Sequence, residues 1–337
     1  MKMNPVAKQA RPAPYPSRDP LKELDRYNRL VLDKLNPNTK RALESDKRNF
    51  SEFCIDTGER LSIDPDSLGM TIIRYAEWMI AKNNKRKSID RRLASLRKLL
   101  RIMKIPDPMK SDETLSESLK LTLRKANAKA NQAEGAKVES IKEVTDLFLE
   151  NEIDPTYKQV RDMALLNVAF DTLLRRSDLV SINIENLDIK DSCVFIEASK
   201  TDQDGKGEHK PLTQTSLSLI SWLRELMPYS DKGPLFRPAK KNGEPYRDIE
   251  NNQRRLNGGE VSRIFKALFR KHGWDVSSIS GHSTRVGATQ TMFEQGENMS
   301  NIMHAGSWKS QAMPMRYGEK HSLTKSATAN VAKKTGR

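Results

Sequence analysis

The chain has 337 residues, with 59 Lys or Arg against 44 Asp or Glu, for a formal net charge of +15. That length allows two domains with a sizeable core, and the cation excess favours a polyanionic partner, because each phosphate neutralised by Lys or Arg releases condensed counterions. Cys54 and Cys193 lie far apart without metal-ligand spacing, no apolar run reaches the ~18 residues of a membrane span, and the Pro- and Arg-rich start lacks the apolar segment of a secretory signal. The expectation is a soluble cytoplasmic protein with no disulfide framework, no metal and no membrane.

Residues 1–19 carry Pro5, Pro12, Pro14 and Pro16 with few large apolar side chains, which predicts a disordered basic tail. Over 20–125 the pattern is that of a small helical bundle. Leu21, Leu24, Leu30, Val31 and Leu35 suggest a short helix or arm, and Thr39 reads as the N-cap of a helix bearing Leu43, Phe50, Phe53 and Cys54. Ile72, Ile73, Ala76, Met79 and Ile80 mark another, and Ile89, Leu93, Leu96, Leu100 and Met103 mark one that starts behind Ser88. Leu115 to Leu123 extends the pattern to a further helix.

One of these helices is unusual, because Lys82, Lys85, Arg86, Lys87, Arg91, Arg92, Arg97, Lys98, Arg101 and Lys104 surround its apolar stripe with Asp90 as the only acid. Solvated helix faces ordinarily mix signs. This one is expected to lie against or in a DNA groove, with Lys82, Arg86, Lys87, Arg91, Arg92, Arg97 and Arg101 as the candidate contacts.

Residues 126–138 lose large apolar groups and read as an interdomain linker, followed by a second domain over 139–321. Ile141, Val144, Leu147 and Phe148, then Met163 to Phe170, predict helices. A β-like stretch runs from Ile182 to Ile189, followed by a turn at Lys190 and Asp191, the run Cys193 to Ile196, and a hairpin turn from Asp202 to Gly207 that returns through His209 to Leu212. Leu217, Ile220, Leu223 and Leu226, and then Val261, Ile264, Phe265, Leu268 and Phe269, indicate later helices. The start of the last, with Gly258, Gly259, Glu260 and Arg263, is a second candidate for base readout. In the tail over 322–337, Leu323, Ala327 and Val331 have the spacing of a short helix. The fold class is mostly α with one small antiparallel sheet.

Six positions in the second domain carry chemistry. They are Arg175 in Leu174-Arg175-Arg176-Ser177-Asp178-Leu179, Lys200 in Ser199-Lys200-Thr201, His282 and Arg285 in Gly281-His282-Ser283-Thr284-Arg285, and Trp308 and Tyr317, nine residues apart. On a helix His282 and Arg285 share a face. Attack on a phosphodiester builds negative charge on its non-bridging oxygens, so cations must already be in place. Guanidinium groups suit this because their planar forks bind phosphate bidentately and stay charged. The set reads as a site for breaking and rejoining a phosphodiester.

The order Arg, Lys, His-x-x-Arg, Trp, Tyr with these local contexts resembles the tyrosine recombinase (phage integrase) family, and Ser280 to Tyr317 is especially similar to its Cre-like subgroup, which has tryptophan where most relatives have a second histidine. The resemblance covers roughly 140–337, with a weaker match before it. It implies that Arg175, first in the frame Leu-Arg-x-Ser-Asp/Glu-Leu, pairs with Arg285 as phosphate clamp, while Arg176 is a surface charge. Tyr317 is then the nucleophile that forms a 3′-phosphotyrosyl link. A phenol with a pKa near 10 is ionised in only about one molecule in a thousand at neutral pH, which leaves His282 two roles, accepting that proton or binding a phosphate oxygen. Lys200 becomes the general acid for the departing 5′ oxygen. Asp178, shorter than the Glu of close relatives, supports the histidine and arginine from beneath, and Trp308 offers its indole N–H. Counting back from Tyr317 leaves His304 structural, and His209, His272 and His321 match no family position.

For the whole protein the resemblance implies a two-domain C-shaped clamp on double-stranded DNA with inverted half-sites. It also implies a monomer free in solution that forms a homotetramer on DNA, strand exchange through a Holliday junction, no cofactor, a prokaryotic mobile element as host, and a tail that docks a neighbouring protomer. Two rivals share parts of this pattern: a type IB topoisomerase, and a catalytically idle DNA-binding accessory protein.

Overall fold

The computed structural model describes residues 19–126, 133–197, 205–227, 232–246 and 254–319, together with Val331 and Thr335. The expected N-terminal tail up to residue 18, residues 127–132 of the expected linker, Lys200, His321 and most of the C-terminal tail lie outside them. The chain divides into two compact units between residues 131 and 132. Among the described residues no helix is long and apolar enough to cross a membrane.

The first unit is helical throughout: α1 (Pro20–Leu30), α2 (Pro37–Thr57), α3 (Pro65–Ala81), α4 (Arg86–Ile102), the short α5 (Pro108–Ser111) and α6 (Glu113–Arg124). Asp19, Asn36, Asp64 and Asp107 each precede a proline and accept an N–H of the first turn with their side chains. The proline that follows fits the first helical position, where an N–H would have no partner anyway. This pairing corrects the expected start of α2, whose cap is Asn36 and not Thr39. The helix also starts before Ser88 in α4, at Arg86, with no side-chain cap.

Phe53, Ile72, Tyr75, Met79, Ile89 and Leu100 lie at the centre of the first core. Phe50 meets Tyr75 edge to face at 5.1 Å between ring centres, a favoured aromatic geometry. Ile89, Leu93, Leu96 and Leu100 turn one face of α4 inward, which leaves its opposite face to solvent.

The second unit contains α7 (Val138–Asn151), α8 (Tyr157–Thr172), α9 (Arg176–Ser181), β1 (Leu187–Asp188), β2 (Cys193–Ile196), β3 (Glu208–Pro211), α10 (Gln214–Glu225), α11 (Val261–Lys271), α12 (Ser283–Gln295), α13 (Met299–Ala305) and α14 (Ala312–Tyr317). Helix α8 is buried continuously from Val160 to Ala169 and packs against α7, α10, α11 and α12. The apolar residues of this stretch take the centre of the core, while the buried Arg161 and Asp162 pair with each other and Asn167 bonds Thr145. The three strands form an antiparallel sheet in the order β1-β2-β3, with Val194 opposite Lys210.

The β-like stretch expected over 182–189 is mostly not strand. Ile184–Asn186 forms a 3-10 turn, closed where the Asn183 N–H donates to the Asn186 side chain at 2.9 Å, and only Leu187–Asp188 pairs as β1. Asparagines hydrogen-bonding their own backbone offer the chain an alternative to the ladder.

The linker expected over 126–138 is ordered at both ends that are described. Ala126 is buried with the first core. Residues 133–138 run along α12: the Ala136 N–H donates to the Ser283 carbonyl at 2.9 Å, and the Val138 N–H to Thr291 Oγ1 at 3.3 Å. A Cβ on Gly287 would stand 1.8 Å from the Ala136 carbonyl oxygen, so only glycine permits this approach.

Candidate active site

Helix α8 ends at Leu173 in the left-handed region (φ 51°), a conformation costing on the order of 1–3 kcal/mol for a residue with a Cβ. The turn brings the chain to Arg175, which stands at the N-cap of α9. One Arg175 nitrogen lies 3.9 Å from the Asp178 carboxylate, and the Ser177 hydroxyl donates to the same carboxylate at 2.9 Å. Asp178 is thus buried beside the arginine it was expected to support.

Arg285, one turn into α12 and only 4% exposed, is the hub of the site. One of its terminal nitrogens donates to the Leu173 carbonyl and the other to the Gly306 carbonyl. Its guanidinium carbon lies 4.4 Å from the centre of the Trp308 ring. Trp308 in turn meets Tyr317 edge to face, with ring centres 6.0 Å apart. Burial and then the neighbouring Arg175 pull the Arg285 pKa down to about 10, while Tyr317, Asp178 and Glu208 act the other way. The group remains charged at neutral pH.

His282 caps α12 and keeps an exposed edge. Partial burial, followed by Arg285, Arg175 and Arg176, holds its pKa below the ordinary imidazole value. Tyr317 ends α14, is 7% exposed, and accepts a hydrogen bond on its carbonyl from Gln290 at 3.2 Å. The structure therefore brings Arg175, Asp178, His282, Arg285, Trp308 and Tyr317 together. Lys200, between β2 and β3 in chain order, lies outside the described residues.

The expected DNA contacts on α4 divide into two groups. Arg86 is bound to Asp90 and the Leu123 carbonyl, Arg91 to Asp46, Arg92 to Asn84, and Arg97 to Asp107. Lys82 pairs with Asp56 over the Trp78 ring, and Arg263 on α11 pairs with Glu260. Lys87 and Arg101 are exposed and have no partner among the described residues. Three carboxylates thus answer part of the charge of α4: Asp90 on the helix itself, and Asp46 and Asp107 from neighbouring elements. His304 and His209 are exposed, and His272 caps the end of α11.

No sequence signal marked Lys210, which is buried on β3 close enough to Arg285 for their charges to interact. Its place in the core-facing row with Val194 is the signal that strand register could have supplied.

Residues 141–323, more than half of the chain, match the Phage integrase family. Recombinase cre of Escherichia phage P1 is 28% identical over 262 residues, covering 72% of this chain and 73% of that protein. The integrase/recombinase xerD homolog of Selenomonas ruminantium is 29% identical over 200 residues, 57% of this chain and 56% of its own length. The chain thus spans little more than half the length of that second relative. Among solved structures, the Tn1549 transposon integrase in complex with transposon right end DNA superposes with a TM-score of 0.60 at 13% identity, covering 91% of this chain and 98% of that one. At that identity the likeness is one of fold.

Proposed function

Because the chain belongs to the phage integrase family, we propose that it is a tyrosine-type site-specific DNA recombinase, cutting and rejoining DNA through a covalent phosphotyrosyl intermediate. The observation that carries this reading is the placement of Arg285. It is buried and oriented by two backbone carbonyls, it is flanked by Arg175 and His282, and it reaches Tyr317 through Trp308.

The Tyr317 phenolic oxygen attacks the phosphorus, forming a P–O bond to the tyrosine as the P–O bond to the 5′ oxygen breaks. The phosphoester energy is kept in the 3′-phosphotyrosyl link for religation. Arg175 and Arg285 bind the non-bridging oxygens, and preorganised cations are worth most where charge develops. His282, whose pKa is lowered by its surroundings, accepts the phenolic proton or donates a hydrogen bond to a phosphate oxygen. Lys200 supplies the proton to the departing 5′ oxygen. In the assembled reaction, protomers bind inverted half-sites of duplex DNA, pair as a tetramer and exchange strands through a Holliday junction.

The test is to trap the intermediate on a nicked suicide substrate in EDTA. The wild-type chain is expected to give a denaturation-resistant protein–DNA adduct, and Tyr317→Phe is expected to give none while binding the same DNA within about threefold. An adduct formed by Tyr317→Phe would remove Tyr317 as the nucleophile.

A further inference from the structure

Lys210 is a cation placed to hold a turn and not to react. It is 3% exposed, on the core-facing row of β3. Its ammonium group lies 2.9 Å from the Ala305 carbonyl, 2.6 Å from Ser307 Oγ and 3.0 Å from Glu208 Oε2, with the His304 carbonyl at 3.4 Å. The Ser307 hydroxyl is also 2.6 Å from both Glu208 carboxylate oxygens. An ammonium has three N–H donors, and these acceptors occupy all of them. Lys210 therefore has no hydrogen free for a leaving oxygen, and its buried charge is met by the half-exposed Glu208 carboxylate and by the oxygens of His304, Ala305 and Ser307.

The turn it grips is strained and central to the site. Ser307 sits in the left-handed region at φ 52°, which is costly for a residue with a Cβ. Immediately before it, Gly306 gives its carbonyl to Arg285, and a Cβ there would meet the Trp308 ring at 2.0 Å. Immediately after it, Trp308 faces both Arg285 and Tyr317. Gly306 and Trp308 thus touch the reacting side while Ser307 points into the lysine and carboxylate behind.

We infer that Glu208 and Ser307, gathered around the buried Lys210, form a clasp that positions Arg285 and Trp308 for strand cleavage by holding Ser307, in the 306–308 turn, in its left-handed conformation. The function of the clasp rests on the recombinase reading, whereas its effect on the turn does not. Lys210 and Arg285 repel one another, burial pulls the Lys210 pKa down, and Glu208 opposes that shift. The carboxylate is thus what lets two buried cations stand close together. The clasp also ties β3, the strand that follows the connection bearing Lys200, to the segment that leads to Tyr317.

The experiment compares the full chain with Lys210→Met in three measurements: DNA binding, single-turnover cleavage of the nicked substrate, and amide hydrogen exchange of peptides spanning 303–309. Binding is expected to stay within about threefold and cleavage to fall by about a hundredfold, as for a catalytic group displaced by a fraction of a bond length. Exchange in the turn is expected to rise about tenfold without DNA. Adding Ser307→Gly to Lys210→Met is expected to restore cleavage about tenfold, because glycine takes φ near 50° without the clasp. Wild-type cleavage by Lys210→Met, unchanged exchange in the turn, or no recovery with the added glycine would each overturn the proposal. If Lys210→Met does not fold, Glu208→Gln removes the countercharge with little change of shape. It should then slow cleavage about tenfold with the thermal midpoint kept, and a wild-type rate would overturn the clasp. If the wild-type chain forms no adduct, the recombinase reading fails, and the exchange measurement alone decides whether the clasp holds the turn.

Discussion

Arg285 and Trp308 are stacked, the guanidinium carbon 4.4 Å from the centre of the indole ring, while the carbonyls of Leu173 and Gly306 hold the two terminal nitrogens. A planar, forked cation is required at this position, because only guanidinium can face a ring and bond two separated carbonyls at once. The two carbonyls account for two of its five N–H donors, and the others are those that the proposed reaction would offer to a phosphate.

Arg285→Lys keeps the charge and loses that geometry. One buried carbonyl is left unpaired, and the cation is no longer fixed toward the phosphate. Single-turnover cleavage is expected to fall by at least about a hundredfold, with DNA binding nearly unchanged. A loss of binding as large as the loss of cleavage would show that Arg285 contributes equally before and during the reaction.

The pH profile should reflect His282. Burial and then Arg285, Arg175 and Arg176 lower its pKa from the ordinary histidine value, so the ring takes up a proton at a lower pH than a free histidine does. A step needing neutral imidazole is then expected to persist below the pH at which a free histidine, with a pKa of about 6.5, would protonate. Arg176→Gln removes one of the three cations and should move the acid limb of the cleavage profile upward. An acid limb at or above the ordinary histidine value, in the wild-type chain, would exclude a depressed His282 as the group controlling cleavage.

Salt dependence separates the cations of α4. Lys87, Arg91, Ala94, Lys98 and Arg101 follow one another at spacings of four and three along the face opposite Ile89, Leu93, Leu96 and Leu100. Lys87 and Arg101 are unpaired among the described residues, whereas Arg97 holds Asp107, the cap of α5. Replacing Lys87 and Arg101 together by Gln should lower the slope of log binding constant against log salt by about 2, roughly one for each phosphate contact. Arg97→Gln should leave the slope unchanged and lower the thermal midpoint. Fluorescence anisotropy between about 50 and 200 mM salt distinguishes these outcomes.

Much of the site is legible because its chemistry is local. The short frames around Arg175, His282, Arg285, Trp308 and Tyr317 can be read from adjacent residues, and each falls near a helix end or in a turn. What escapes sequence reading is any role decided by a distant partner. Arg91 looks free until Asp46 arrives from α2, and Arg97 until Asp107 turns back toward it. Lys210 looks like a surface lysine in a hairpin until the turn after α13 closes over it. The same holds for the fold: hydrophobic spacing gives the helices, while the Asx-Pro starts and the Asn183–Asn186 turn depend on side-chain hydrogen bonds that periodicity does not register.

The notch at Gly287 determines where the catalytic half can be separated from the rest. A fragment beginning at α7 would start after Ala136, leaving the Ser283 carbonyl beside His282 without its N–H donor and the surface over Gly287 empty. The residues from 133 to 137 precede the first helix of that half, yet they complete the helix bearing His282 and Arg285. A shortened chain that keeps the chemistry must therefore begin upstream of them.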